Sequence, residues 1–138
     1  MVLFRNDLRL TDNGALSAAV GTGKPLLAAY VLDEESDSIR PQGGASRWWL
    51  HHSLAALASK LDGLGVRLVL RRGAMRAVVD DLVAESGADT VLWNRRYDPG
   101  GIVAGSTMKQ VLRERGLRAE SFDGHLLHEP LRLSTGSG

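Results

Sequence analysis

Five short apolar runs separated by four stretches of helical periodicity constrain the fold of this chain more than any other feature. Val2 to Phe4, Leu26 to Leu32, Arg67 to Leu70, Thr90 to Trp93 and Arg118 to Phe122 are the strand candidates. The run Leu26-Leu27-Ala28-Ala29-Tyr30-Val31-Leu32 is apolar without a break, as in a strand covered on both faces. Between the runs, Gly14 to Val20 reads as a short helix. Leu50, Leu54, Leu57, Leu61 and Leu64 step by four, three, four and three, which puts them on one helix face. Met75, Val78, Val79, Leu82 and Val83 repeat that pattern, and Ala104, Met108, Val111 and Leu112 carry a sparser version. Gly63, Gly65, Gly73, Gly87 and Gly116 stand at the joints, where helix stops and turns favour glycine. The order β-α-β-α-β-α-β-α-β predicts an α/β fold. The expected form is a three-layer, Rossmann-like domain whose five-stranded parallel sheet has the order 3-2-1-4-5, with helices on both faces.

Composition narrows the function classes. The 138 residues, 43% hydrophobic and 24% charged, suit one globular domain with a real core. Seventeen Lys and Arg against sixteen Asp and Glu exclude a histone-like electrostatic binder. The absence of Cys excludes disulfides, thiolate zinc sites, iron–sulfur clusters and a Cys nucleophile. No apolar run approaches the roughly 18 residues that span a bilayer. The opening Met1-Val2-Leu3-Phe4-Arg5 turns charged too soon for a signal peptide, so a cytoplasmic protein without membrane contact is expected. Residues 1–130 read as the domain. Residues 131–138, with Ser134-Thr135-Gly136-Ser137-Gly138, read as the start of a linker.

In open parallel sheets a ligand sits beyond the carboxyl ends of the strands, where strand order reverses. The loops Arg5 to Asn13, Asp33 to Gly44 and Asn94 to Gly101 fall at that edge. None carries a phosphate motif: Gly23-Lys24 runs into Pro25, and no G-x-G-x-x-G follows the first strand. Gly44-Ala45-Ser46-Arg47 misses a nucleophile elbow because Trp48 stands at the last glycine. His125 and His128 lie between Gly124 and Pro130 in a loop, with no further ligands, so no metal is expected. His51 and His52 read as helix-surface groups. Trp48 and Trp49 point to different sides of their helix, so at least one can be core, and core or interface packing is the expectation for the pair. The other is expected at a cleft, at a domain contact, or as a stacking platform.

Phe4-Arg5-Asn6-Asp7-Leu8-Arg9-Leu10-Thr11-Asp12-Asn13 resembles the F-R-x-D-L-R-L-x-D-N opening of the DNA photolyase and cryptochrome family. Tyr30-Val31-Leu32-Asp33 and Arg71-Arg72-Gly73 resemble its second and third strands. Trp93-Asn94-Arg95-Arg96-Tyr97-Asp98-Pro99 resembles its W-N-x-x-Y-[ED]-P segment. Ser121-Phe122-Asp123-Gly124 with Leu127-His128-Glu129-Pro130 resembles the end of its amino-terminal domain. The blocks run in the family's order over essentially the whole chain.

The resemblance implies the amino-terminal α/β antenna domain of a light-driven repair enzyme. In the family this domain holds a second chromophore: methenyltetrahydrofolate, a deazaflavin or a flavin. A separate helical domain of the same parent chain holds FAD, splits pyrimidine dimers in damaged DNA and would be this chain's partner. The candidate chromophore-binding residues are Asp33 and Arg47, which the resemblance implies, with Arg5, Asn6, Asn94, Arg95, Tyr97 and Asp98 from their place at the sheet edge, and no residue here is assigned to catalysis. The arginines after the fourth strand could serve an acidic tail. Asp7, Arg9, Asp12 and Asn13 are expected chiefly to brace the first loop and cap the first helix. Gly100 and Gly101 stand where folate-binding relatives carry an Asn-Glu pair, and Ile102-Val103-Ala104-Gly105 where many members carry Arg-Asp. This departure favours a deazaflavin, a flavin or an empty crevice over an intact folate site. The alternatives are the same domain of a cryptochrome photoreceptor and an unrelated nucleotide-binding module of the electron-transfer-flavoprotein type.

Overall fold

In the computed structural model, which describes residues 1–37 and 40–124, nine elements alternate along the chain. They are β1 (Val2–Phe4), α1 (Gly14–Gly21), β2 (Ala28–Leu32), α2 (Gly44–Asp62), β3 (Leu68–Arg72), α3 (Met75–Ser86), β4 (Thr90–Asn94), α4 (Pro99–Glu114) and β5 (Arg118–Phe122). The strands form one parallel sheet in the order β3-β2-β1-β4-β5, as the sequence predicts. The unbroken apolar run of β2 lies between β1 and β3, with Ala28 to Val31 buried.

Strand alternation sorts the core into two layers. Leu3, Ala29, Val31, Val91 and Trp93 face α3 and α4, where Val79, Leu82, Met108 and Leu112 close the layer. Val2, Phe4, Ala28, Tyr30 and Leu92 face α1 and α2, against Ala15, Ala19, Leu57 and Leu61. Helix ends follow local chemistry. Asn13 caps α1 through its side chain, which accepts from the Leu16 amide. Gly87 closes α3 in the left-handed region at φ 67°. Asp98 and Pro99 start α4 as N-cap and first-turn proline.

Neither tryptophan takes the core place that the sequence left open to one of them. Trp48 is 60% exposed and Trp49 68%, so neither enters the core. The leucine stripe explains this. At about 100° per residue, Trp49 lies one step and Trp48 two steps off the line through Leu50, Leu54, Leu57 and Leu61. Leu64 is exposed because α2 has already ended at Asp62. The third strand is shifted to Leu68–Arg72, since Arg71 and Arg72 pair with Val31 and Leu32 on an edge open to solvent.

His125, His128, the Leu127-to-Pro130 block and the linker at 131–138 lie outside the described residues. Among those described, no helix is long and apolar enough to cross a membrane. Nor does any group there of three or more His, Asp or Glu offer a metal site.

Candidate functional site

Strand order reverses between β1 and β4, and the chain leaving each of them delivers arginines to the same edge of the sheet. Arg5 leaves β1 and is only 5% exposed. One guanidinium nitrogen donates to the Gly101 carbonyl at 3.1 Å, while Nε is buried with no partner among the described residues. Burial first, and then the neighbouring Arg96 cation, lower its pKa to about 10, so the group stays charged at neutral pH. Gln42 mirrors this, with Oε1 buried and without a partner among the described residues. Both residues line a crevice of about 160 Å³ whose other walls include Asn6, Tyr30, Asp33, Arg40, Met75 and Ala104. A broader cleft of about 320 Å³ adjoins it through Arg5, Asn6, Tyr30 and Gln42, and is bounded by Trp49 and Leu50. A buried donor and a buried acceptor without partners are costly unless a ligand completes them.

Asp33 is held from four sides. Its carboxylate accepts from the Glu35 amide at 3.1 Å, the Ser36 amide at 2.9 Å, the Ser36 hydroxyl at 2.6 Å and the Met75 amide at 3.0 Å. Burial alone would raise its pKa, but the bonds from Ser36, Met75 and Glu35 outweigh it and hold the acid below its usual range. The Met75 bond caps α3 from the end of β2, since Ala74 at the N-cap has no side-chain acceptor. Arg47 does not enter the crevice. It pairs with Glu34 at 2.5 Å, and Arg72 holds the same carboxylate at 2.8 Å.

Asn94 is 4% exposed and braces the loops. Its Nδ2 donates to Asp7 and Asn13, and its Oδ1 accepts from the Ala15 amide. Arg95 donates to the Ser121 carbonyl at 3.0 Å and pairs with Asp123. Arg96 pairs with Asp98 at 2.8 Å, and Asp98 also accepts from the Gly101 amide at 2.9 Å. These bonds outweigh burial and lower the Asp98 pKa. The Tyr97 hydroxyl accepts from the Gly124 amide at 2.9 Å. Asn6 is exposed at the crevice mouth. The arrangement therefore brings Arg5, Asn6 and Asp33 together at one crevice. Asn94, Asp98 and Asp33 shape it by capping and bracing, and Arg47 stands apart.

Gly101 is not mere flexibility. A Cβ there would lie 2.6 Å from Arg96 Cβ and 2.7 Å from Asp98 Oδ1, so the glycine admits the Arg96–Asp98 fork against the helix. Sequence reasoning missed Gln42, Tyr30 and Arg40 as lining residues. Gln42 and Tyr30 carry no charge and Arg40 sits in a polar loop, so no local signal marks them.

Comparison with known proteins agrees with this fold. A profile described as DNA photolyase matches residues 1–138. The chain belongs to the DNA photolyase family. It is 54% identical to a deoxyribodipyrimidine photo-lyase of Agrobacterium fabrum over 138 residues, which is 100% of this chain and 28% of that protein. It is 40% identical to cryptochrome-1 of Arabidopsis thaliana over 135 residues, 97% of this chain and 20% of that one. The crystal structure of a bacterial class III photolyase from Agrobacterium tumefaciens superposes with a TM-score of 0.90 at 55% identity, covering 99% of this chain and 28% of that one. Membership of the DNA photolyase family sets aside the unrelated electron-transfer-flavoprotein-type module. The chain spans well under a third of the relatives' length and matches their amino-terminal α/β antenna domain.

Proposed function

We propose that this domain binds an antenna chromophore in the crevice around Arg5 and serves a light-driven DNA-repair photolyase in the cytoplasm. The observation that carries this reading is that Arg5 and Gln42 line the same crevice, and that Arg5 Nε and Gln42 Oε1 are each buried without a partner among the described residues. A flat heteroaromatic whose edge sets a carbonyl oxygen beside a ring N–H or amino group supplies an acceptor for the first and a donor for the second. The residues present thus fit a deazaflavin, a flavin or a methenyltetrahydrofolate. When bound, such a group absorbs light and passes the excitation to FAD in the helical domain of the parent chain. That domain and the damaged DNA it repairs are the proposed partners.

This chain's own residues bind and orient. Arg5 and Gln42 fix the edge of the ring, Asn6 closes the mouth, and Tyr30 and Trp49 offer aromatic surface. Asp33, Asn94 and Asp98 hold the walls in place through their caps and braces. Arg95 and Tyr97 fasten the loop after β4 to residues 121–124. No proton transfer or nucleophile is required of this domain. Titration of labelled protein with riboflavin, followed by amide resonances, tests the site. The expected shifts fall on Arg5, Asn6, Tyr30, Asp33 and Gln42, whereas shifts confined to the opposite sheet edge would contradict it.

A further inference from the structure

A second hollow, of about 310 Å³, lies between α4 and the ends of β4 and β5, on the α3–α4 side of the sheet. Arg5, Arg95, Arg96 and Lys109 line it, together with the Ser106 and Ser121 hydroxyls, and Trp93 and Ile102 supply its apolar surface. Two of these cations are already matched by carboxylates: Arg95 by Asp123 and Arg96 by Asp98. The other two are not. Lys109 Nζ donates to Ser121 Oγ at 3.2 Å and forms no ion pair among the described residues, and neither does Arg5. Burial, then the Arg113 and Arg95 charges, lower the Lys109 pKa, as expected of a cation among cations. Gly105 joins the two positions. A Cβ there would lie 3.3 Å from an Arg5 terminal nitrogen, and Lys109 follows one helical turn on, about 6 Å along the axis. Unmatched buried or crowded cations are costly, and an anion removes that cost.

We infer that this groove is an anion-binding subsite, continuous with the crevice through Arg5 and Arg96, which takes a multiply charged chain with Lys109 as its far anchor. Its natural occupant is the oligocarboxylate or pyrophosphate tail of the chromophore, so the inference rests on the antenna reading. Successive charges of such a chain run from the Arg5 guanidinium beside Gly105 to Lys109, one turn further along α4. The Ser106 and Ser121 hydroxyls donate to the same chain, while its methylene or ribityl stem lies on Trp93 and Ile102.

The test is a set of amide-resonance titrations of the domain with triglutamate, pyrophosphate and riboflavin, each alone, in wild type and in Lys109→Gln. One of the two anions is expected to shift Gly105, Ser106, Lys109 and Ser121, with affinity falling about tenfold in Lys109→Gln. Riboflavin affinity is expected to be the same in both proteins. Saturation by triglutamate assigns a carboxylate tail, and saturation by pyrophosphate a phosphate tail. Shifts spread evenly over surface cations, or unaltered by Lys109→Gln, would overturn the subsite. Riboflavin binding without anion shifts refutes the groove alone. Anion shifts without riboflavin binding refute the crevice reading and leave the groove standing.

Discussion

Asn94, the last residue of β4, donates from Nδ2 to Asn13 Oδ1 at 2.9 Å, and Asn13 in turn caps α1. The same amide donates to Asp7 Oδ2 at 2.5 Å and accepts from the Ala15 amide at 3.0 Å. One buried side chain thereby fixes the loop after β1, the start of α1 and the end of β4 against one another. Those are the segments that present Arg5 and Arg96 to the crevice.

Asn94→Ala is expected to lower stability by about 2–3 kcal/mol, because it leaves several buried donors and acceptors unmatched. Urea unfolding checks this. A loss under about 0.5 kcal/mol would mean that the network is dispensable.

Arg5→Met is expected to stabilise the chromophore-free domain by about 1 kcal/mol and to abolish chromophore uptake. A charged guanidinium with an unpartnered Nε is poorly solvated in this crevice, and a methionine of similar length is not. The sign follows from the pKa of about 10, below the ordinary value of a guanidinium. The folded state disfavours the cation, so the cost is fully present at pH 7 and is relieved only as pH rises through about 10. Thermal and urea unfolding at pH 7, beside a binding titration, separate the two effects.

Asp33→Ala is expected to cost about 1 kcal/mol at pH 7, the usual loss for a removed helix cap. Because the Asp33 pKa is lowered in the folded state, its contribution is present above the ordinary carboxylate pKa of about 3.9. It is lost as pH falls through the lower native value. The gap between wild type and variant should therefore close in acid, and a gap independent of pH would contradict the assignment.

The parallel sheet and its two apolar layers were legible because they follow from periodicity and from the alternation of strand and helix. The edge of the sheet was legible too, since Arg5, Asn6 and Asp33 directly follow β1 and β2. Roles were harder. Asn94, Asp98 and Asp33 carry the polar groups expected of ligand-holding residues, yet each accepts backbone amide hydrogens at a helix start, a use that only the three-dimensional register exposes. Arg47 and Asp33 are near in the fold's logic, but Glu34, one residue on, takes the arginine. Gln42 carries no sequence signal, because its importance lies in an acceptor buried without a donor.

The tryptophans give a stability contrast. Trp48→Ala and Trp49→Ala are each expected to change unfolding free energy by less than about 0.5 kcal/mol, since both side chains are exposed. Trp93→Ala, at 1% exposure in the centre of the α3–α4 layer, is expected to cost about 3–5 kcal/mol.

The central claim is that the crevice at Arg5 and Gln42 holds a chromophore. It is tested most directly by the visible absorption spectrum of the purified domain after incubation with methenyltetrahydrofolate, a deazaflavin or FMN and passage through a desalting column. The account predicts that one of these co-elutes with the protein near one equivalent, with a shifted band, and that Arg5→Met elutes colourless. Protein that emerges colourless from all three incubations would contradict it.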